Sequence, residues 1–283
     1  MARQWAGARP HRLWRSYCDL LHTRLCQRWL PPTPVERALK TDLFDEAGAG
    51  AGLCPVLATR ARTVVGIDVS SLTLRRARER HAIQAVGADV RRLPFADESF
   101  DLVLSNSTLD HFASLDDVAA ALAELRRVLR TGGHLVLTLD NLANPAVALR
   151  NALPLALLTR LRLVPYYMGA TCGPRRLALL AQQAGLVPLE VGTLMHCPRL
   201  PAVLLSQALD RFGSERLNAV FLGSLMWWES LARWPSRYRT GYFLTLKAIR
   251  GQPPAPAASE SGQRIDVLDA GESAEVRSPR RAQ

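Results

Sequence analysis

The stretch that decides the fold is Asp45-Glu46-Ala47-Gly48-Ala49-Gly50-Ala51-Gly52, which follows the apolar pair Leu43-Phe44. It places acidic side chains ahead of glycines that alternate with alanine. Glycine accepts positive φ angles and lets a ligand approach the backbone closely. Such a loop, leading into a helix, presents free N–H groups and a positive dipole end to an anionic group. We therefore expect a ligand-binding loop between a strand at 43–47 and a helix at 53–59.

The segments around this loop alternate between strand-like and helix-like patterns. Apolar and β-branched runs at 63–67, 85–88, 100–105 and 134–139 predict strands. A serine cap at Ser70 or Ser71 begins a helix through about residue 80, and Ser114 begins one that ends at Gly132-Gly133. Strands that alternate with helices predict crossover connections and a mostly parallel sheet. Later helices are expected at 145–163, 174–184 and 200–233, and later strands at 186–191 and 242–249.

Composition narrows the class of protein. The net charge is +11, but 34 of the 36 basic residues are arginine, spread along the chain. This distribution does not favour nucleic acid as the main partner. The five cysteines lack the paired spacing of a metal site, so we expect no metal. Without a signal peptide or an 18-residue apolar stretch, the chain is predicted to be cytoplasmic, with membrane association as an added possibility.

The chain is expected to fall into three parts. Residues 1–34 form a basic amphipathic helix ended by Pro31-Pro32-Thr33-Pro34. This helix could dock on the domain, cover the active site as a lid, or make peripheral contact with a membrane through residues 1–30. Residues 35–250 form the main domain, with a helical cap region within 141–240. Residues 251–283 are expected to be a disordered tail.

Three acids stand where strands are predicted to end: Glu46, Asp68 and Asp89. In an open α/β sheet, ligands bind beyond the carboxyl ends of the strands. Asp68 follows Glu46 by about the interval at which a carboxylate reaches ribose hydroxyls, so the cofactor should contain a nucleoside. Leu53 stands where a dinucleotide fingerprint needs its third glycine. No Gly-Lys-Ser/Thr follows, which also argues against a P-loop.

The glycine run and the segments after it resemble class I S-adenosylmethionine-dependent methyltransferases, in the type-11, small-molecule branch. The resemblance rests on five segments in order over about 100 residues. After the glycine run these are 66–70, 87–90, 93–101 and 129–133. It implies a Rossmann-like α/β sheet of seven strands, mostly parallel with an antiparallel last strand, and helices on both faces. Asp45 departs from the pattern, because the family usually has an apolar strand residue there.

The resemblance also implies roles for individual residues. The glycine loop would approach the methionyl part of S-adenosylmethionine, and Asp68 would bind both ribose hydroxyls. Asp89 would accept from the adenine amino group, and Asn106 would meet the methionyl amine. The full implied cofactor set is Glu46, Ala47, Gly48, Gly50, Gly52, Asp68, Val69, Asp89, Val90 and Asn106.

Candidates for catalysis and acceptor binding lie beyond the fourth predicted strand. His111 sits in the loop that faces the transferred methyl in this family, so it is a candidate general base. The segment 105–109 lacks a Pro-Pro-Tyr-like motif, which disfavours an adenine or glutamine acceptor. Tyr166 and Tyr167 are candidates for contact with a small-molecule acceptor, which the apolar cap suggests is hydrophobic. A non-catalytic cofactor-binding scaffold and a nicotinamide-dependent oxidoreductase are the alternatives.

Overall fold

A seven-stranded sheet forms the centre of the computed structural model, which describes residues 12–48, 52–154, 160 and 169–252. The strand order is β3-β2-β1-β4-β5-β7-β6. Neighbouring strands from β3 to β5 pair in parallel, and β7 is antiparallel to both β5 and β6. This confirms the expected sheet. The strands are β1 (Val35–Lys40), β2 (Ala61–Asp68), β3 (Gln84–Gly87), β4 (Phe100–Asn106), β5 (Leu129–Asp140), β6 (Leu186–Leu194) and β7 (Phe243–Arg250).

Helices connect the strands and cover the sheet. Two short 3-10 turns, Leu109–His111 and Glu229–Arg233, lie among them. The helices are α1 (Arg12–Trp29), α2 (Phe44–Ala47), α3 (Cys54–Ala58), α4 (Ser71–Arg80), α5 (Leu115–Val128), α6 (Pro145–Ala152), α7 (Pro174–Gln183), α8 (Arg199–Phe212), α9 (Glu215–Trp228) and α10 (Arg237–Thr240).

Both faces of the sheet are buried, as expected for parallel strands with crossover helices. In β5, Leu135 and Leu137 pack with α5 and α7, whereas Val136 between them packs with α1, α3 and α4. This alternation follows from the two-residue period of a strand. The sheet therefore separates two apolar layers and leaves its strand ends free to build a site.

The expected first strand was wrong. Residues 43–47 contain the single helical turn α2, and the first strand is β1, which pairs with β2 and β4 at the centre of the sheet. The sequence of this strand does not show the usual apolar pattern, because it contains the charged pair Glu36-Arg37 and only Ala38, Leu39 and Lys40 are buried. Asp45 is consequently half-buried on a turn and does not need a partner inside a strand.

The end of α5 also differs from the expected position. The helix stops at Val128, and Gly132-Gly133 lie inside β5, where the register against β4 shifts. Gly132 has a φ of +77°, and a Cβ on Gly133 would come within 2.8 Å of the Arg130 carbonyl. The two glycines therefore permit an irregularity in the strand and do not end the helix.

Helix α1 packs against the main domain along its apolar side. Tyr17 and Leu21 are almost fully buried in a cluster with residues of α6, α8 and α9. The Tyr17 hydroxyl donates to Glu229 Oε1 at 2.9 Å. Near the end of α1, Trp29 is buried in the apolar layer that α3 and α4 form on one face of the sheet. The described part of the basic N-terminal segment is thus a packed helix.

The segment 141–240 is only partly a helical cap. It contributes α6 to α10 and also the edge strand β6. Of the helices expected at 145–163, α6 ends at Ala152, and most of the following residues lie outside the described part. The predicted disordered tail lies outside it as well, apart from Gly251 and Gln252. Among the described helices, none has the length and apolarity needed to span a bilayer.

Candidate functional site

The strand order reverses between β1 and β4, and ligands of open α/β sheets bind at such a switch point. The segments that leave these two strands are joined by hydroxyl groups. Thr41 Oγ1 lies 2.9 Å from Ser105 Oγ and 2.8 Å from Thr108 Oγ1. The Thr41 amide also donates to the Leu104 carbonyl at 3.2 Å. The carboxyl ends of β1 and β4 therefore form one connected edge.

Glu46 lies under the glycine loop and is completely buried. Its Oε1 accepts from the amides of Leu53 and Cys54 at 2.8 and 3.2 Å, and its Oε2 lies 3.0 Å from Lys40 Nζ. Burial alone would raise the pKa of Glu46, but Lys40 and the amide donors outweigh burial and hold this pKa below its ordinary value. Glu46 therefore ties the far end of the loop to β1.

The described ends of the glycine loop have close neighbours. Gly52 has a φ of +62°, and a Cβ there would lie 2.6 Å from Glu46 Oε1. At the other end, the Arg15 guanidinium of α1 fills the space beside Gly48. Ala47 closes α2 just before it. Gly50 lies outside the described residues.

Asp68 ends β2 beside this loop. Its Oδ1 accepts from the Ser70 amide at 2.7 Å, and its Oδ2 accepts from the Leu43 amide at 3.3 Å. Burial raises the pKa of Asp68. Val69, which follows, leaves 78% of its surface exposed at the site edge.

Asp89 follows β3 and is engaged by Arg91. The Arg91 guanidinium reaches Asp89 Oδ2 at 2.6 Å and Asp117 Oδ1 at 2.7 Å. Hydrogen bonding from Arg91 lowers the pKa of Asp89. The Ala88 amide donates to the Asp68 carbonyl at 3.2 Å. The backbone of Asp89, the next residue, therefore lies close to that of Asp68. The side chain of Val90 is buried in the core, so only its backbone could face a ligand.

Further acids surround the loop. Burial raises the pKa of Asp42 to about 6, and burial together with Asp45 raises the pKa of Asp19 on α1 to about 6. Two cations counter part of this negative charge: the Lys40 ammonium, which is buried against Glu46, and the Arg15 guanidinium beside Gly48. The arrangement favours a cationic group at the loop.

Asn106 closes β4 on the other side of the switch point. It is buried, and its Oδ1 accepts from Thr138 Oγ1 at 2.7 Å. The next residue, Ser107, has a φ of +47° and donates its amide to the same hydroxyl at 3.1 Å. A non-glycine residue in this left-handed region marks a constrained turn at the edge of the site.

Two residues of the 3-10 turn Leu109–His111, which follows β4, differ sharply in environment. His111 is exposed, whereas Asp110 is buried. Asp110 Oδ2 accepts from the Asp140 amide at 3.1 Å, and its Oδ1 has no hydrogen-bond partner among the described residues. Burial and the nearby Asp140 carboxylate raise the pKa of Asp110 to about 7. The site thus holds a buried carboxyl group that titrates near neutrality.

Asp140 extends this cluster toward the cap. Arg150 Nη2 donates to Asp140 Oδ2 at 2.5 Å, and Arg150 Nη1 donates to the Tyr242 hydroxyl at 2.6 Å. The Thr171 hydroxyl donates to the Asp140 carbonyl. An ion pair and two hydroxyl groups therefore lie at the carboxyl end of β5, next to Asp110.

Sequence reasoning missed Lys40 and the Asp110, Asp140 and Arg150 cluster. Lys40 carried one usable signal, since it is one of only two lysines in the chain. The sequence contained no comparable signal for the cluster, because its three residues are separated in the chain and come together only in the folded protein. Tyr166 and Tyr167 lie outside the described residues. Within the described residues, no group of histidine, cysteine and acidic side chains is arranged to hold a metal ion.

Comparison with known proteins places the glycine loop inside a matched domain. The type-11 family described as a methyltransferase domain matches residues 46–137. The demethylmenaquinone methyltransferase of Corynebacterium kroppenstedtii is 33% identical over 118 residues, covering 41% of this chain and 47% of that protein. The phthiotriol/phenolphthiotriol dimycocerosates methyltransferase 1 of Mycobacterium ulcerans is 34% identical over 113 residues, covering 38% of this chain and 40% of that protein.

Solved structures are similar in fold to a larger part of the chain than residues 46–137. The cyclase SpnF shares 20% identity with this chain at a TM-score of 0.57, covering 85% of this chain and 84% of that one. At this identity the likeness shows the fold alone. The chain spans between 34% and 52% of the length of the first curated relatives that it matches.

Proposed function

Because the chain belongs to the class I S-adenosylmethionine-dependent methyltransferases of type 11, we propose that it transfers a methyl group from S-adenosylmethionine to a small-molecule acceptor, at oxygen or carbon. The observation that carries this proposal is the acid-lined glycine loop beside Asp68, at the point where the strand order reverses. When bound, the cofactor supplies a methyl group on a cationic sulfonium.

The residues at the site fit that cofactor. An ionised carboxylate has about four acceptor sites, so Asp68 can accept from ribose hydroxyls while it holds the Ser70 and Leu43 amides. The exposed Val69 offers a surface for adenine. Asp89 would accept from the adenine amino group only after Arg91 gives up part of its contact.

Charge supports the methionyl end of the proposal. The sulfonium and the amino group are cations, and the acids around the loop outnumber its two described cations, the buried Lys40 ammonium and the Arg15 guanidinium beside Gly48. Asn106 lies across the switch point from the loop, and its backbone or amide would meet the amino group. Glu46 acts indirectly in this proposal, because its Oε1 holds the amides at the end of the loop and its Oε2 pairs with Lys40 of β1.

Alignment of the acceptor would supply much of the rate, since good geometry alone contributes up to roughly 7–11 kcal/mol. A hydroxyl or acidic carbon would also need a base. His111 is the proposed base, because it lies exposed on the turn after β4. Asp110, directly before it, is the carboxyl group that could hold or receive a proton near neutral pH.

The acceptor is proposed to be hydrophobic. This rests on the apolar cap in 141–240, with Tyr166 and Tyr167 as proposed contacts, and on the quinone and lipid substrates in the names of the matched relatives. A cytoplasmic location stays a prediction. So does membrane contact through residues 1–30, although the apolar side of α1 is packed against the domain.

Calorimetry with S-adenosylmethionine, S-adenosylhomocysteine and NAD tests the cofactor. We expect binding of the first two and none of NAD, with binding weakened by Asp68→Asn and unchanged in the exposed control Asp116→Asn. Binding of NAD alone would instead support an oxidoreductase. A panel of quinol, phenol and lipid acceptors then separates an enzyme from a scaffold, since a scaffold binds the cofactor without turnover.

A further inference from the structure

Helices α8 and α9 present large apolar side chains to the outside. On α8 the exposed positions recur at the spacing of one helix face, and on α9 they form a similar stripe. Phe212 and Val220 leave 85% and 70% of their surfaces exposed. We name this surface the α8–α9 face, and its large apolar members are Leu200, Leu204, Leu205, Phe212, Leu217, Val220 and Trp227.

The opposite sides of the same helices are already buried. Ala202 of α8 and Phe221 and Leu225 of α9 pack in the cluster that includes α1. The exposed side chains are therefore not needed for the core. Single exposed apolar residues are common on monomeric proteins, but clusters of large ones on consecutive helices mark contact with a partner or a membrane.

Charge around the face favours an anionic partner. From α8 to α10 the chain carries six arginines and three carboxylates. Two of the three carboxylates are engaged by α1: Asp210 Oδ1 accepts from the Leu13 amide at 3.1 Å, and Glu229 accepts from Tyr17. Arg211 and Arg216 are exposed at the turn between the helices, beside Phe212. Arginine and tryptophan around an apolar surface suit the headgroup region of a bilayer.

The face begins next to the candidate site. Arg199, the first residue of α8, lies with its guanidinium carbon 4.3 Å from the centre of the Tyr242 ring. The hydroxyl of that ring accepts from Arg150, which pairs with Asp140 at the carboxyl end of β5. One layer of side chains therefore links the face to the edge where the acceptor is proposed to bind.

We propose that the α8–α9 face docks on the surface of an anionic phospholipid membrane, with its apolar side chains in the headgroup region and its arginines on lipid phosphates. Docking is peripheral and leaves both helices parallel to the surface. It does not depend on methyl transfer. Helix α1 packs against the buried sides of α8 and α9. Because its apolar side is used in that packing, α1 does not itself insert into the membrane.

Vesicle flotation tests the proposal with the full chain. We expect binding to vesicles rich in phosphatidylglycerol, weaker binding to pure phosphatidylcholine vesicles, and loss of binding at high salt. The double variant Leu204→Glu/Val220→Glu should bind about tenfold or more weakly, because both side chains leave the apolar layer. The control Val187→Glu/Leu179→Glu, at exposed positions on β6 and α7, should bind as the parent does.

Three results would overturn the proposal. One is the absence of binding to anionic vesicles, and another is equal loss of binding in both double variants. The third is a dimer, detected by analytical ultracentrifugation, that becomes monomeric in the Leu204→Glu/Val220→Glu variant. In that case a second copy of the chain, and not a membrane, would cover the α8–α9 face. Calorimetry with S-adenosylmethionine on the same variants keeps this outcome separate from the proposed function, since cofactor binding should be unchanged in each.

Discussion

At the scale of single residues, Lys40 and Glu46 decide the shape of the site. The family resemblance implied that Glu46 lies close to the methionyl amino group of the cofactor. In the structure its oxygens hold Lys40 and two loop amides. The pairing could not be predicted, because it depends on a first strand that ends at Lys40 and a turn that brings Glu46 back over it.

We expect Lys40→Met to destabilise the fold by about 3–5 kcal/mol at pH 7, because it leaves a buried carboxylate without its partner. Lys247→Met, at the only other lysine, is the control and should cost far less. The folded-state pKa of Glu46 is lowered in the parent, so its stabilisation is present above the unfolded pKa and is lost as pH falls through the folded value.

In Lys40→Met the Glu46 carboxylate should instead take up a proton, because burial then acts without the ammonium. The difference in unfolding free energy between parent and variant should therefore shrink as pH falls from 7 to 4. Urea denaturation at several pH values measures this difference. A gap that stays constant over that range would contradict the assignment of the pair.

His111→Ala tests the proposed base. We expect turnover to fall about 100-fold, within the usual range for a general base, while the affinity for S-adenosylmethionine changes little. Steady-state kinetics together with calorimetry give the two quantities. An equal loss of turnover and affinity would mean that His111 only packs at the site. Asp110→Asn provides the comparison, since it should shift the pH dependence of turnover near pH 7.

At the scale of elements, the sequence predicted best where a pattern was local. The β-branched run of β2 and the serine caps of α4 and α5 were found from such patterns, and the antiparallel last strand, which the family resemblance implied, is confirmed. The first strand was missed because its buried residues are few and include a lysine. The predicted end of α5 was wrong because Gly132-Gly133 lie at an irregularity in β5. That irregularity arises from the pairing of β5 with β4, which the sequence alone does not show.

Helix α1 yields a prediction at this scale. Glu229 accepts from the Tyr17 hydroxyl and from the amides of Met195 and His196, so one carboxylate joins α1 to β6 and the segment after α9. Tyr17→Phe should lower the unfolding free energy by about 1–3 kcal/mol, since it removes a buried hydrogen bond to a charged group.

Thermal unfolding measures that change. Tyr238→Phe is the control. It removes a hydroxyl that donates to the Val191 carbonyl at 2.9 Å and accepts from Arg237 Nη2 at 3.1 Å, and a smaller loss is expected because the group that accepts its proton is neutral. If the Tyr17 variant loses no more stability than the Tyr238 variant, the link through Glu229 does not hold α1 in place.

At the scale of the whole molecule, the chain is strongly basic while its proposed cofactor site is acidic. Asp42 and Asp19, each with a pKa of about 6, are negative at pH 7.5 and gain protons below pH 6. Protonation removes the charge that attracts a cation. The affinity for S-adenosylmethionine should therefore weaken by roughly tenfold between pH 7.5 and pH 5.

Calorimetry across this pH range tests the expectation. Asp42→Asn should weaken binding at pH 7.5 and flatten the profile, because one of the two titrating groups is gone. A parent affinity that does not change between pH 7.5 and pH 5 would argue against an electrostatic role for these acids.

The burial of Lys40 has a practical consequence for chemical labelling. An acylating reagent that attacks lysine amines should modify Lys247, which is half-buried on β7, and spare Lys40 in the native fold. Acylation of Lys40 requires a local opening that exposes its ammonium, and each molecule records only its first such event. The fraction of molecules labelled at Lys40 after a brief exposure, read from the mass of the peptide that contains it, would therefore measure how often this buried pair opens.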